Sequence, residues 1–175
     1  MRPEPGQVLH FSEDPTITRF EPVPHPVSAE GVVWAVDAHH APDYWFPRDC
    51  PRVIARAEPG SAPADTDRFL GPGVTRAHAV EYAWLEAIRT VRLYAYRLPA
   101  ETFDYVHADR HAMVSAAPVT PLGPAEPVGD LFAVHEAAGV PLLVLPRLEA
   151  HWAALRASTL GWGGIRLRNA LGAPF

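Results

Sequence analysis

Histidine, carboxylate and arginine gather at a few places along this chain, and each grouping suggests its own chemistry. His10, Ser12, Glu13 and Asp14 sit together where an apolar run ends. An imidazole there can bind a ribose hydroxyl, or exchange protons while Asp14 or Glu13 orients it, as in a small hydrolase. The same residues also make an ordinary Ser/Asp turn that needs no ligand. Period-two alternation puts Leu9 and Phe11 on one face of the run and Val8 and His10 on the other.

Asp37, His39, His40 and Asp43 are competent metal ligands by type. Adjacent histidines on a helix diverge by roughly 100°, so a solvated helix start with acids near its positive end fits them better. Arg48-Asp49-Cys50-Pro51-Arg52 flanks a lone thiol with two guanidinium groups. These can lower a thiol pKa, or clamp a phosphate or carboxylate. The plainer alternative is an Asp49–arginine surface pair beside a buried cysteine. His107, Asp109, Arg110 and His111 read as an exposed hairpin tip. Ser158, Thr159, Arg166, Arg168 and Asn169 surround a glycine-rich turn and are a weak candidate for anion binding.

The elements that must position these groups are short, because 20 of the 175 residues are proline, about twice the ordinary share. Strands are expected at Gln7–Phe11, Gly31–Asp37, Pro51–Ala57, Val74–Glu81, Val91–Leu98, Phe103–His107, Ala112–Ser115 and Pro141–Leu145. Gly31–Asp37 is apolar almost throughout and should be buried on both faces, and Pro141–Leu145 reads as a short buried strand. Asp37 is a plausible cap for a short helical stretch through Tyr44 and Trp45, and Pro47 closes it. Helical spacing marks Trp84–Ile88, Val128–Ala138 and Leu148–Leu155. Residues 58–73, rich in proline and glycine, read as a mobile loop, and Gly161-Trp162-Gly163-Gly164 as a turn. Six to eight strands and three or four helices without fixed alternation imply an α+β fold. We expect one globular domain over 1–175, with a mixed or antiparallel split sheet.

Composition narrows the function. All 15 basic residues are arginine against 20 acids, a net charge of −5, and no basic block stands out, so nucleic acid is not an expected partner. Without lysine there is neither a Schiff-base nor a Walker-type lysine. One cysteine makes neither a disulfide framework nor a thiolate zinc site. The opening residues lack a signal-peptide core, and the longest largely apolar run, Ala137–Leu145, is far below the ~20 residues that span a bilayer. A cytoplasmic protein without a membrane partner is the expectation. G-x-G-x-x-G, P-loop, G-x-S-x-G and H-E-x-x-H motifs are absent from the sequence.

Six stretches carry a resemblance: Leu9–Pro22, Val33–Asp37, Tyr44–Arg52, Arg92–Tyr96, Ala157–Leu160 and Ile165–Ala170. Together they resemble an uncharacterised bacterial family of unknown function over nearly the whole chain. His10-Phe11-Ser12, Phe20-Glu21-Pro22, Val33-Trp34-Ala35-Val36 and Tyr44-Trp45 also fall in the order seen in the ADP-ribosyltransferase superfamily. Ala112–Ser115 and Pro118–Pro121 are similar to its late strand and the segment after it. That resemblance implies an ADP-ribosyltransferase-like fold with NAD as a possible substrate and no other cofactor. His10 would bond the nicotinamide-side ribose, and Tyr44 would lie near the nicotinamide. The cleft would draw on Ser12, Trp34, Arg48 and Arg52. The superfamily's glutamate has no counterpart near Arg110 and His111, where Asp109 is the nearest acid. The resemblance therefore implies nucleotide binding more directly than transfer. The rival expectation is a non-catalytic module whose aromatics, Trp34, Tyr44, Trp45 and Phe46, bind a small ligand or a protein.

Overall fold

Proline-limited apolar runs fold here into short strands tied by long connections. The computed structural model of the chain describes residues 2–25, 28–106 and 112–173. Among them are β1 (Gln7–Ser12), β2 (Val23–His25), β3 (Ser28–Ala35), β4 (Arg52–Arg56), α1 (Pro63–Phe69), β5 (Arg76–Glu81), α2 (Leu85–Thr90) and β6 (Tyr94–Pro99). There follow β7 (Asp104–Tyr105), β8 (Met113–Ser115), β9 (Glu126–Pro127), α3 (Leu131–Ala137), β10 (Leu142–Leu145), α4 (Glu149–Arg156) and β11 (Gly161–Ile165). The fold is α+β, with three sheets and four helices among the described residues. Among the described residues only β5 and β10 pair in parallel; the other ladders there are antiparallel.

The chain divides into two compact units, Met1–Trp45 with Arg92–Gly129, and Phe46–Val91 with Asp130–Phe175. The first holds sheets ordered β1-β6-β9 and β2-β3-β8-β7. An isolated antiparallel bridge, Leu9 to Val36, joins them, with both backbone N–H···O contacts at 2.8 Å. Both faces of β1 are covered. Val8 belongs to a core with Phe20, Val33, Ala35, Tyr96 and Leu98, while Leu9 packs with Val36 and Ala41. Tyr96 adds a polar tie: its hydroxyl donates to the Asp14 carbonyl at 2.7 Å and accepts from the Ile17 amide at 3.0 Å. Those two bonds hold the turn that follows β1.

The second unit is built on one four-stranded sheet, β10-β5-β4-β11. On one face Val53, Ala55, Ala77 and Ala79 pack against Leu148 and Leu155, with Trp152 of α4 at the margin. The register places Arg52, Ile54 and Arg56 on the opposite face, and Arg56 lies across from Arg76 and Ile54 from His78. Asp130 caps α3, its Oδ1 accepting from Phe132 N at 2.8 Å and Ala133 N at 3.1 Å.

Three segments differ from the sequence expectation. Residues 58–73 contain α1, which starts at Pro63, a residue preorganised for a first helical turn. Asp65 of α1 accepts from the amide and hydroxyl of Thr159, at 2.8 and 2.7 Å, and so ties this helix to the segment before β11. Gly161–Gly164 is strand rather than turn, paired with β4 from Gly161↔Arg56 to Gly164↔Val53. Neighbouring side chains fill the space a Cβ would take: Glu58 at Gly161, and Leu167 with Trp152 at Gly164. Last, β10 is a partly exposed edge strand, with Leu143 43% exposed, because parallel pairing with β5 covers one edge only.

Gly164→Ala is expected to destabilise the fold by about 1–3 kcal/mol, since its Cβ would fall 2.5 Å from Leu167 Cδ1 and 3.0 Å from the rigid Trp152 ring. Gly161→Ala should cost less, because the obstructing Glu58 side chain is half-exposed and can swing away. Urea unfolding of both variants checks the order.

Candidate functional site

The first unit carries most of the titratable chemistry. His10 lies on β1 opposite Tyr96 of β6, and Phe20 sits between the two rings, 4.5 Å from His10 and 5.1 Å from Tyr96. The His10 Nδ1 is 2.7 Å from the Trp34 carbonyl oxygen. A carbonyl only accepts, so Nδ1 carries the proton and Nε2 is the basic nitrogen of the neutral ring. Trp34 therefore contributes its backbone to this site by orienting the imidazole.

Ser12 and Asp14 form a turn. The Asp14 amide donates to Ser12 Oγ at 3.1 Å, and Asp14 Oδ1 accepts from the Thr16 amide and hydroxyl at 2.8 and 2.7 Å. The Thr16 hydroxyl and amide together hold the Asp14 carboxyl below its ordinary value. Tyr44 packs against Leu9, Val36 and Ala41. Strand alternation turns Leu9 toward that cluster and His10 toward Phe20, so the two residues expected to act together belong to opposite faces of β1.

A second cluster in the same unit centres on Asp37. Its Oδ1 accepts from the His40 amide at 2.8 Å and from His40 Nδ1 at 2.9 Å, and its Oδ2 accepts from the Tyr105 hydroxyl at 2.9 Å. Burial would push the Asp37 carboxyl up, but the His40 bonds and charge, with the Tyr105 hydroxyl, outweigh it and hold the group well below its usual range. Among the described residues, Asp37, His39, His40 and Asp43 included, no group of three or more His, Cys, Asp or Glu is placed to hold an ion. The sequence reading made Asp37 the cap of the helical stretch, whereas the 3-10 turn there is Ala41–Tyr44 with His40 at its N-cap and Asp37 holding the turn before it. It missed Tyr105, whose approach from 68 residues away leaves no local signal.

In the second unit, Arg48 and Arg52 share a segment but not an environment. Arg48 is exposed, while Arg52 is 3% exposed, donates from Nη1 to the Cys50 carbonyl at 3.0 Å and lies 5.0 Å over the Phe46 ring. The Arg48 carbonyl accepts from Arg166 Nε at 3.2 Å, and the Asp49 carbonyl from Asn169 Nδ2 at 2.7 Å. Arg166 and Asn169, expected near an anion, thus clasp the 48–49 backbone, and Arg166 takes the left-handed φ of 54°. Burial pushes the Cys50 thiol up to about 12; Arg52 pulls against this and Glu81 adds to it. That is the environment of an inert thiol.

Sequence reading also missed a buried pair in this unit. His135 Nδ1 donates to the Leu131 carbonyl at 2.7 Å, which leaves Nε2 to accept from His78 Nδ1 at 3.1 Å. Phe46 meets both rings edge-on, at 5.3 and 4.9 Å. His107, Asp109, Arg110 and His111 lie outside the described residues; the β7–β8 pairing flanks them. No helix among the described residues is long and apolar enough to cross a membrane.

Residues 9–170 match the sequence pattern of DUF6886, described as a family of unknown function. The chain belongs to DUF6886. The DUF6886 span opens one residue before His10 and takes in Asp37, His40, Tyr105, His78 and His135. It ends at Ala170, the last residue of the Ile165–Ala170 stretch, whose Arg166 and Asn169 form the clasp. No curated protein and no solved structure matches the chain.

Two measurements follow from these environments. Cys50 should resist alkylation by iodoacetamide at about pH 8 while the protein is folded and react once it is unfolded in urea. For Asp37 the folded pKa lies below the ordinary 3.8, so its stabilisation is full above that value and is lost as pH falls through the folded pKa. Asp37→Asn should cost about 1–3 kcal/mol at neutral pH, through the charge-assisted bonds it weakens. It should also lose less stability than wild type on acidification below about pH 4, read from urea midpoints.

Proposed function

We propose that this chain binds a ribose-bearing nucleotide of the NAD or ADP-ribose class, with His10 as the group that engages a ribose hydroxyl. The observation that carries the reading is the 2.7 Å bond from His10 Nδ1 to the Trp34 carbonyl, which fixes the ring and its tautomer. In that tautomer Nε2 is the ring nitrogen with the lone pair, the atom whose chemistry suits a hydroxyl donor. Its support comes from three sides: Tyr96 is its cross-strand neighbour, Phe20 stacks on its ring, and the Ser12–Asp14 turn closes the end of its strand. The reading takes the α+β frame as ADP-ribosyltransferase-like, by the order of His10, Val33–Val36 and Tyr44 along the chain. It assigns binding to His10 and leaves Tyr44, on the other face of β1, in a packing role.

The test is a thermal-shift titration with NAD, ADP-ribose, AMP and nicotinamide, on wild type and on His10→Ala. Ligand at 100 times Kd that binds only the folded state adds about 2.7 kcal/mol, which a melting curve resolves. The reading requires a shift with NAD or ADP-ribose that His10→Ala abolishes. No shift with any of the four ligands removes it, and an equal shift in His10→Ala removes His10 from it.

A further inference from the structure

A strand at the edge of a sheet leaves half of its backbone hydrogen bonds unmade, and proteins shield such edges with charge, a bulge or a covering segment. The four-stranded sheet of the second unit ends on one side at β10, and Leu142-Leu143-Val144-Leu145 carries no charge. Leu143 is 43% exposed there, and the other three residues are half-buried.

The pairing with β5 fixes which backbone groups are left over. His78 N donates to the Pro141 carbonyl at 2.9 Å, and the parallel register sets Leu142 beside His78 and Val144 beside Val80. In a strand the N–H and C=O of one residue point the same way, and successive residues alternate. Pro141, Leu143 and Leu145 therefore face β5, whereas Leu142 and Val144 turn both backbone groups outward. Among the described residues no second strand takes up these four groups.

The open stretch is closed at both ends. Pro141 and Pro146 have no N–H to offer, and the Val140 amide is already given to the His135 carbonyl at 3.0 Å. A second copy of β10, antiparallel and related by a two-fold axis, meets all four outward groups in one register. Leu142 of each copy then exchanges two bonds with Val144 of the other, and Leu143 faces Leu143 on the axis. Every residue along that ladder is aliphatic, so apolar meets apolar. The ends are complementary in charge: Glu136 lies exposed in the last turn of α3, just before β10, and Arg147 lies exposed just after it. An antiparallel partner brings the arginine end of one copy to the glutamate end of the other.

We propose that β10 is a dimerisation edge, where two copies of this chain join antiparallel about a two-fold axis through Leu143 and extend the sheet from four strands to eight. A four-residue ladder is small beside the roughly 1,200 Å² that a stable interface buries, so the dimer is weak, with a Kd of about 10–500 µM.

Sedimentation equilibrium across that concentration range tests it. Wild type should pass from the mass of one chain to that of two. Leu143→Arg and Leu143→Glu each set like charges across the axis. Each alone should stay monomeric and keep the melting temperature of dilute wild type, and mixing them should restore the mass of two chains. Val144→Pro removes an outward donor without touching the β5 ladder and should weaken association by about tenfold or more. Leu143→Cys should cross-link to its own copy under mild oxidation, since the facing residues of such a pair stand about 4.5 Å apart at Cα. Leu122→Cys, at a 55% exposed leucine of the first unit, should not. A wild type that stays monomeric throughout overturns the proposal, as does a dimer that Leu143→Arg and Val144→Pro leave intact. Growth beyond two chains also overturns it, because β10 pairing with the opposite edge strand β11 makes an open array. If Leu143→Arg unfolds, the cysteine variants decide: no cross-link through Leu143→Cys, or an equal one through Leu122→Cys, counts against the proposal.

Discussion

One backbone pairing organises the first unit. Leu9 and Val36 exchange two hydrogen bonds of 2.8 Å, and both side chains are buried, at 0% and 3% exposure. Without that pair the β1 sheet and the β3 sheet would have no direct ladder between them. Because strand side chains alternate, fixing Leu9 inward also fixes His10 outward from that cluster and toward Phe20. The approach of the two strands brings the Trp34 carbonyl within 2.7 Å of the imidazole. One residue past Val36 the chain leaves the ladder, and Asp37 is free to become the acceptor for His40 and Tyr105. The placement of His10 and of the Asp37 cluster thus follows from a single buried contact.

The second unit shows how a sheet can hold polar residues at low exposure. Each is given a partner suited to its chemistry. Glu81, 0% exposed, accepts from the Leu148 amide at 3.2 Å and the Leu171 amide at 3.0 Å. His78 and His135 satisfy one another, and the Leu131 carbonyl completes the chain. Arg52 donates to the Cys50 carbonyl and sets its guanidinium carbon 5.0 Å over the Phe46 ring. The glycines of β11 belong to the same economy of space, since Glu58, Leu167 and Trp152 occupy the volumes their side chains would need.

Strands with strong local patterns were legible from sequence. Gln7–Phe11 matches β1 to a residue, the apolar Gly31–Asp37 run contains most of β3 and the bridge at Val36, and Val128–Ala138 contains α3 behind its Asp130 cap. Local composition misled where a distant partner supplied the stabilisation. The proline- and glycine-rich 58–73 segment holds a helix because Asp65 meets Thr159, and Gly161–Gly164 extends because β4 offers a ladder. Among site residues, His10 and Asp37 stood out as polar groups at the ends of apolar strands. Tyr105, His78 and His135 did not, since each gains its role from a residue 57 or 68 positions away.

The sequence by itself determined the α+β class, the shortness of the elements, the family and the inventory of chemistry: arginine without lysine, one thiol, and histidines beside carboxylates. Periodicity and proline geometry act within a few residues, so these properties can be read along the chain. Only the tertiary structure decided which histidine has its tautomer set by a carbonyl and which by a carboxylate. It also decided that Cys50 is buried, that Arg166 and Asn169 serve as a clasp, and that Tyr44 and His10 part company across β1. Hydrogen bonds and burial depend on groups far apart in sequence, and their strength falls steeply with distance and angle. They come into being only when the fold has brought those groups to within about 3 Å of each other.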